Sequence, residues 1–218
     1  MNYLYLIFVF NLYGTSAYFN LPGKCPENIK LQDNFNLANF FEKWYQTYHY
    51  SSDRSNKNNC STIQLTSYQN GIYWNQTRID RGLFQRYSFA QLASDNDNAA
   101  NLSLIFVNPD APRRLVTRKY PFKVLATNYN YYATVYTCQY SPLINKHFIY
   151  VWLLSRNQIL NDVSKELAVK PLKQLGISSE DLVKNDLGPE HCTPKYYEDK
   201  RVEPYTFNIP VHNKVIEF

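Results

Sequence analysis

The chain is poor in glycine and methionine, and after its first residues it has no long apolar run. Only 6 of its 218 residues are glycine and one is methionine. A helix that crosses a bilayer needs about 20 apolar residues, and the run from Met1 to Phe10 is about half that length. It leads to Thr15-Ser16-Ala17, small residues of the type found at a signal-peptide cleavage site. We therefore expect a secretory signal peptide at residues 1–17, with an uncleaved anchor as the alternative.

Cysteine is scarce and widely spaced. The cysteines are Cys25, Cys60, Cys138 and Cys192. No two of them lie at a C-x-x-C distance, which argues against a zinc site. An even number in a secreted chain favours two disulfides, and four cysteines allow three connectivities.

Sequence motifs for catalysis and for nucleic-acid binding are also missing. Neither G-x-S-x-G nor H-E-x-x-H occurs, and the scattered histidines are most simply surface residues. They are His49, His147, His191 and His212. The net charge of +5 is modest, and no basic stripe with interleaved aromatic residues is present. These absences argue against an enzyme, a metal or cofactor site and a nucleic-acid partner.

Aromatic residues, in contrast, are abundant, with 20 tyrosines and 13 phenylalanines. Aromatic and β-branched residues favour strands, and Asn70-Gly71 is a strong hairpin signal. Strands are expected at residues 43–50, 62–68, 71–79, 84–92, 102–107, 122–127, 131–139 and 147–155. Eight strands at regular spacing without helical crossovers predict an all-β fold, an eight-stranded up-and-down antiparallel barrel.

One helix is expected to follow the last strand and to pack on the outside of the barrel. Residues 148–154 are apolar on both faces, as expected for a strand with the lumen on one side and a helix on the other. Apolar residues then recur at roughly helical spacing before Gly176. They are Val163, Leu167, Leu172 and Leu175. Pro171 should kink or restart this helix.

The last part of the chain differs in character from the rest. Ser178 and Asp181 form a possible capping box before Cys192. Residues 193–218 contain three prolines and an alternating apolar pattern. We expect a domain at residues 18–192 followed by a C-terminal extension, which is either mobile or packed on the barrel or used for a partner.

Three short segments far apart in the chain resemble the signature regions of the lipocalins. They are Phe35-Asn36-Leu37 with Lys43-Trp44-Tyr45, then Ala126-Thr127-Asn128-Tyr129, then Trp152-Leu153-Leu154-Ser155-Arg156. Stacking of the Trp44 indole on the Arg156 guanidinium would close one end of a barrel and is worth roughly 0.5 to 2 kcal/mol. Lys24-Cys25-Pro26 and Val135-Tyr136-Thr137-Cys138 resemble the apolipoprotein D and insect bilin-binding branch of that family.

The resemblance implies several further features. In such chains the first cysteine pairs with the third and the second with the fourth, which gives Cys25–Cys138 and Cys60–Cys192. Two positions depart from the family pattern. Glu42 stands where a glycine is usual, and Asn128 stands where an aspartate is usual, which we expect to weaken a polar contact at the closed end.

An eight-stranded barrel has room for one small ligand. Alternation in the strands directs one set of side chains into the lumen, namely Leu102, Leu104, Phe106, Trp152 and Leu154. The resemblance adds Leu65 and Phe122. Tyr73 and Phe89 are further candidates, although residues 72–78 do not alternate cleanly and their parity stays open. Ordinary core packing is the alternative for each residue.

The resemblance places four loops around the open end, at residues 51–59, 80–82, 108–121 and 140–146. One carries positive charge, which either steers a carboxylate-bearing ligand or is simply solvated. Its charged residues are Arg113, Arg114, Arg118 and Lys119. Another loop offers Pro142, Leu143 and Ile144, an apolar tip that could contact a membrane, a lipoprotein or another partner.

Three N-x-S/T sequons occur, at Asn59, Asn75 and Asn101. The first contains the disulfide cysteine Cys60, and the second lies within a strand. Asn101 is expected to face outward at a strand start, which makes it the first candidate for glycosylation, with Asn75 next.

Together these features predict a secreted, extracellular lipocalin that carries a small hydrophobic molecule and performs no chemistry on it. The ligand class is open: a fatty acid, a sterol, a retinoid-like molecule or a bilin-type pigment. The alternative is a protein-interaction lipocalin, such as a secreted inhibitor, that acts through its mouth loops and its C-terminal extension.

Overall fold

The computed structural model describes residues 21–52, 60–68, 71–80, 83–94, 99–107, 117–193 and 196–197. The expected signal peptide, Arg113, Arg114 and most of the C-terminal extension lie outside these residues. Within the described part of the chain, no helix is long and apolar enough to cross a membrane.

Strands make up most of the described chain. In chain order they are β1 (Leu21–Pro22), β2 (Glu42–Ser51), β3 (Cys60–Tyr68), β4 (Gly71–Asp80), β5 (Leu83–Ser94), β6 (Asn101–Val107), β7 (Thr117–Thr127), β8 (Tyr132–Ser141), β9 (Lys146–Ser155), β10 (Val183–Lys184) and β11 (Tyr196–Tyr197). Strands β2 to β9 pair antiparallel with their neighbours in sequence, and β9 pairs back onto β2. This closed up-and-down barrel confirms the predicted fold.

The three shortest strands attach to the barrel from outside this cycle. Strand β1 pairs with β9, β10 pairs with β2, and β11 runs parallel to β5. Strand β11 lies within the predicted C-terminal extension, and its residues Tyr196–Tyr197 pair with the barrel.

Strand β7 is longer than the sequence suggested. It begins at Thr117 rather than at Phe122, so Arg118 and Lys119 lie in a strand and not in the predicted loop. Pro121 had argued for a loop because proline donates no backbone hydrogen bond. In the barrel Pro121 pairs with Ser103 of β6, and the pairing of β7 with β8 begins only at Lys123. The proline therefore lies where β7 has a single neighbour.

The register separates the inner and outer faces, because directly paired residues point the same way. The pairs Leu65–Trp74, Leu102–Phe122 and Ala133–Leu154 all belong to one buried cluster, which fills the barrel interior. A second cluster contains Val151 and Leu153 of β9 together with Ala168 and Leu172. It lies between the outer face of the barrel and the helical segment.

The outer helix α1 (Asp162–Val169) packs through a different face from the one predicted. Val163 is 72% exposed and Leu167 is 38% exposed, whereas Ser164 and Ala168 are buried. Small residues are needed there because the backbone comes close to the barrel: Thr134 Oγ1 donates a hydrogen bond to the Ala168 carbonyl at 2.6 Å.

The segment after α1 follows the prediction more closely. A 3₁₀ helix (Lys170–Leu175) follows α1, with Pro171 in its first turn and Leu172 buried. Gly176 ends this helix with a φ of 68°. Ser178 and Asp181 form the predicted capping box. A short helix α2 (Pro189–Cys192) follows.

Two disulfides connect the barrel to the segments before and after it. Cys25 is bonded to Cys138 of β8, and Cys60 of β3 is bonded to Cys192 of α2. These are the two pairs that the resemblance implied. They hold the N-terminal segment and the C-terminal helical segment against the barrel.

Candidate functional site

One end of the barrel is closed by a stacked indole and guanidinium. The Arg156 guanidinium carbon lies 3.7 Å from the centre of the Trp44 ring. Trp44 is fully buried, and its Nε1 donates a hydrogen bond to the Phe40 carbonyl at 3.0 Å. Phe40 ends the 3₁₀ turn (Ala38–Phe40) that leads into β2. The contact between residues far apart in sequence closes the base of the barrel.

Arg156 also joins three segments through their backbone carbonyls. Its Nε donates to Tyr129 at 2.9 Å, Nη1 donates to Lys43 at 3.1 Å, and Nη2 donates to Asn39 at 3.2 Å. Burial lowers the pKa of Arg156, and the charge of Glu42 opposes this shift. The planar array of donors suits such a site, because a single guanidinium can reach several carbonyls at once.

The two departures from the family pattern both lie at this closed end. Glu42 has a φ of 75°, a conformation that favours glycine, so the usual turn is kept with a residue that is strained in it. The side-chain oxygen of Asn128 accepts hydrogen bonds from the backbone N–H groups of Tyr131 and Tyr132, at 2.9 and 3.1 Å. An amide oxygen thus provides the contact that we expected to be weakened.

Aromatic rings continue from the base into the barrel. The Trp44 and Phe40 centroids are 5.0 Å apart, and those of Phe40 and Phe122 are 6.4 Å apart. The Phe122 and Trp74 rings meet edge to face at 4.7 Å, and Trp74 lies 6.4 Å from Trp152. The lower interior is therefore a series of rings within a wall of aliphatic residues.

Most of the proposed lining residues lie together in this interior. Five of them are buried in the inner cluster: Leu65, Leu102, Leu104, Phe122 and Leu154. Trp152 is partly buried and packs against that cluster. The side chains of Phe89 and Phe106 lie outside the described part of the structure. These positions remain our candidates for ligand contact.

Tyr73 does not line the lumen. It pairs with Thr66, on the face opposite to the Leu65–Trp74 pair, and its ring lies over Gly71 on the outside of the barrel. Trp74 takes the inner position, and the sequence reasoning missed it. The predicted hairpin could have revealed it, because a two-residue connection between β3 and β4 places the even-numbered residues of β4 on the same face as Leu65.

Two histidines are buried, contrary to the surface positions expected for them. His49 lies on the inner face beside Trp152, and its Nδ1 is 2.9 Å from Oδ1 of the buried Asn185. The Nδ1 atom of His147 is 3.1 Å from the Gly23 carbonyl, where β1 approaches β9. Both rings thus hold neighbouring segments against the barrel. Within the described residues, no group of histidine, cysteine, aspartate or glutamate side chains could hold a metal ion.

Two of the sequon asparagines lie on the outer face. Asn101 precedes the inward Leu102 on β6, so it faces outward as predicted. Asn75 pairs with Gln64 on the outside of the barrel, and its Nδ2 donates to Thr66 Oγ1 at 3.1 Å. Asn59 lies outside the described residues.

The β8–β9 turn presents the predicted apolar tip. Leu143 is 97% exposed, and Ile144 is also exposed. Tyr140 Oη donates to Asn145 Oδ1 at 3.0 Å across the base of the turn, and Asn145 adopts a φ of 48°. The tip therefore has a defined backbone while its apolar side chains are left in solvent.

A protein-family model matches residues 42–187, which is more than half of the chain and spans the whole barrel. It describes the lipocalin and cytosolic fatty-acid binding proteins. The chain belongs to this family. Its closed barrel with a sealed base and an outer helix is the architecture described above.

Similar proteins occur in insects and mammals. This lipocalin is 26% identical to insecticyanin-B of Manduca sexta, over 86% of its own length and 92% of the relative's. It is 25% identical to the bilin-binding protein of Pieris brassicae, over 86% and 97% of the two chains. Identity to apolipoprotein D of Cavia porcellus is 30%, over 63% and 69%.

Solved structures share the fold of this lipocalin. Insecticyanin from Manduca sexta superposes with a TM-score of 0.68 at 22% identity, covering 82% of this chain and 96% of that one. Lobster apocrustacyanin A1 superposes with a TM-score of 0.59 at 18% identity, covering 78% and 92%.

Proposed function

We propose that this lipocalin is a secreted protein that binds a small hydrophobic molecule inside its barrel and transports it, without performing chemistry on it. The observation that carries the proposal is the interior itself. Aliphatic and aromatic side chains line it, and the Trp44–Arg156 contact seals it at one end. A ligand that enters from the other end would transfer its apolar surface out of water, worth about 25 cal/mol per Å² before ordering costs are subtracted.

The residues proposed to contact the ligand follow from the inner face. They are Leu65, Trp74, Leu102, Leu104, Phe122, Trp152 and Leu154. Phe89 and Phe106, on β5 and β6, are added from the sequence alone. Fatty acids, sterols, retinoid-like molecules and bilin-type pigments all fit an apolar site of this kind. The name of the Pieris brassicae relative supports a bilin among them. Such a pigment is a bound ligand and not a cofactor for a reaction.

Secretion is supported by independent features of the chain. Both disulfides are of the kind that persists in oxidising compartments. The first 17 residues have the apolar run and small-residue exit of a signal peptide, and Asn101 and Asn75 offer outward-facing sequons. We propose that the mature domain begins after Ala17, that it extends to Cys192 and that residues 193–218 form an extension.

Native mass spectrometry of the secreted protein, followed by organic extraction, tests the carrier function directly. A non-covalent adduct of a few hundred daltons is the expected result, and a bilin would add a visible absorption band. Substitution Leu104→Phe fills the interior, so it should reduce binding of an extracted ligand about tenfold or more. The matched control is Val163→Phe, which adds an exposed ring to the outer helix. Equal effects of the two substitutions would contradict binding in the lumen.

The exposed β8–β9 turn supports a second, compatible role, contact with a membrane or lipoprotein surface. Leu143 and Ile144 would insert their side chains between lipid headgroups. Substitution of both by serine should abolish sedimentation with phosphatidylcholine vesicles and leave ligand binding unchanged. Unchanged sedimentation would exclude the turn as the contact.

A further inference from the structure

Trp74 carries a buried polar group that the fold does not use. Its side chain is 3% exposed, points into the barrel beside Leu65, and has the rings of Phe122 and Trp152 as neighbours. Among the residues that the structure describes, none accepts a hydrogen bond from its Nε1. Trp44, the other fully enclosed indole of this interior, donates to the Phe40 carbonyl. The described residues thus provide an acceptor for the indole N–H of Trp44 but none for that of Trp74.

A donor that finds no acceptor at this place carries an energetic cost. A buried N–H without a partner costs roughly 1 to 3 kcal/mol, and an indole nitrogen can only donate. A phenylalanine would supply aromatic packing against Phe122 without this cost. None of the described residues uses this indole N–H, which points to an acceptor from outside the chain.

A second unused polar group faces the same interior from another wall. Thr137 of β8 follows Val135 on the inner face, where Val135 pairs with Trp152 and Thr137 pairs with Tyr150. It is 5% exposed, and its Oγ1 has no hydrogen-bond partner among the described residues. The buried hydroxyls of Thr47 and Thr134, in contrast, donate to the Leu153 and Ala168 carbonyls.

We propose that Trp74 and Thr137 form a polar subsite for the ligand, and that this ligand is a flat, conjugated molecule bearing a carbonyl group. Trp74 Nε1 donates to the carbonyl oxygen, while the Thr137 hydroxyl, which can donate or accept, binds a second polar atom. The rings of Phe122 and Trp152 pack against the unsaturated part. The assignment rests on the carrier function proposed above, and it narrows the ligand class of that same site.

A pair of probes with one skeleton tests the subsite. Methyl retinoate carries a carbonyl, and axerophthene is the corresponding hydrocarbon, in which a methyl group replaces the ester. Dissociation constants for both are measured by fluorescence titration on the full secreted protein and on Trp74→Phe, Thr137→Val and Trp152→Phe. Trp152→Phe is the matched control, because it also replaces an indole with a phenyl ring, at a neighbouring position.

The expected result is selective for Trp74. Trp74→Phe should weaken methyl retinoate about 2- to 10-fold, the range for one neutral hydrogen bond, and leave axerophthene unchanged. Thr137→Val should also weaken binding of methyl retinoate but not of axerophthene, by the same factor or a smaller one. Trp152→Phe should change the affinity for both probes alike. Thermal unfolding of the ligand-free Trp74→Phe protein should be unchanged or shifted upward. A lowered melting temperature together with equal effects on both probes would assign Trp74 a structural role and overturn the subsite.

Indole proton spectra provide a second readout, since the chain has only three tryptophans. The Trp74 Nε1–H resonance should move downfield when methyl retinoate binds and should stay in place with axerophthene. A persistent exchange peak to water in the complex would show that water occupies the subsite and would overturn the proposal. If neither probe binds the unmodified protein while extraction yields no other ligand, the carrier function fails as well. Binding of both probes without discrimination by Trp74 removes only the subsite.

Discussion

At the residue scale, Arg156 connects more of the chain than any other side chain described at the closed end. It stacks on Trp44 and donates to carbonyls of three separate segments. Lysine keeps the charge but loses the planar array of donors, so it cannot make these contacts together. The closed end is therefore specific for a guanidinium and not simply for a cation.

Substitution Arg156→Lys should lower the free energy of unfolding by about 1 to 3 kcal/mol, because lysine cannot stack on Trp44 and donate to the half-buried Tyr129 carbonyl and the two exposed carbonyls together. Urea unfolding of the purified protein measures this. Lys165→Met is the control, since Lys165 lies 4.5 Å from the Tyr48 ring centre on the outside of the barrel and its loss should cost under about 0.5 kcal/mol. Similar losses for both variants would contradict a special role for Arg156.

Glu42 offers a substitution that should stabilise the protein. At its φ of 75° a residue with a Cβ atom loses about 1 to 2 kcal/mol of stability. Glycine avoids this loss, but the greater flexibility of the unfolded chain offsets part of the benefit. Glu42→Gly should therefore raise the free energy of unfolding by about 0.5 to 1 kcal/mol. Glu42→Ala removes the same carboxylate but keeps the Cβ, so it should not gain. Stabilisation by alanine as well would point to the charge near Arg156 instead of the backbone.

Tyr136 makes stability depend on alkaline pH. It is 1% exposed in the outer cluster, and burial raises its pKa from 10.0 to about 12. Between these values the folded state keeps a proton that the unfolded chain has lost, so stability falls as pH rises, by up to about 1.4 kcal/mol per pH unit. Tyr136→Phe should flatten this decline between pH 10 and 12.

At pH 7 the same substitution should leave stability unchanged or slightly raised, because Tyr136 Oη has no hydrogen-bond partner among the described residues. Burial also raises the pKa of Tyr132, which is present in both proteins and cancels in their difference. Chemical unfolding at a series of pH values gives both results. Parallel pH profiles for the two proteins would show that Tyr136 titrates normally.

At the scale of elements, the outer helix shows how packing overrides an apolar pattern. The sequence pattern favours a face that includes Val163 and Leu167, but α1 approaches the barrel so closely that only Ser164 and Ala168 fit between them. The large apolar contact comes from the following 3₁₀ helix through Leu172. Side-chain size at the contact, not hydrophobicity alone, decides the face.

Two alanine substitutions distinguish the faces. Leu172→Ala should cost about 2 to 5 kcal/mol, because a fully buried leucine leaves a cavity. Val163→Ala should change the free energy of unfolding by less than about 0.5 kcal/mol, because Val163 is largely exposed. Denaturant midpoints measured side by side check this, and comparable losses would restore the face that the sequence suggested.

Several features were predictable from local signals or from the resemblance of the signature segments. The Asn70-Gly71 turn located the β3–β4 hairpin, alternation placed Leu102 and Leu104 inside, and the order of the signature segments predicted the stacking of Trp44 on Arg156. The remaining errors depended on tertiary context. Pro121 is accepted in β7 because one side of the strand is unpaired there, and the burial of His49 depends on Asn185, which is 136 positions away in sequence.

At the scale of the whole molecule, the disulfides hold the segments outside the barrel to it. The Cys60–Cys192 bond links β3 to α2 across a sequence separation of 132 residues. Replacement of both cysteines by serine should lower the free energy of unfolding by up to about 5 kcal/mol in the chain-entropy model. Thermal melts under oxidising conditions measure this. Addition of a reductant should bring the unmodified protein toward the variant, and a reductant-insensitive melt would contradict the prediction.

The pairing of β9 with β2 has a consequence for synthesis on the ribosome. Until Arg156 has left the exit tunnel, β2 and β8 each expose an unpaired edge, and Lys43, 113 positions earlier, has no cation to bind its carbonyl. The barrel of the nascent polypeptide therefore closes only when its first and last barrel strands pair. Until then we expect the incomplete chain to be prone to self-association through these edges.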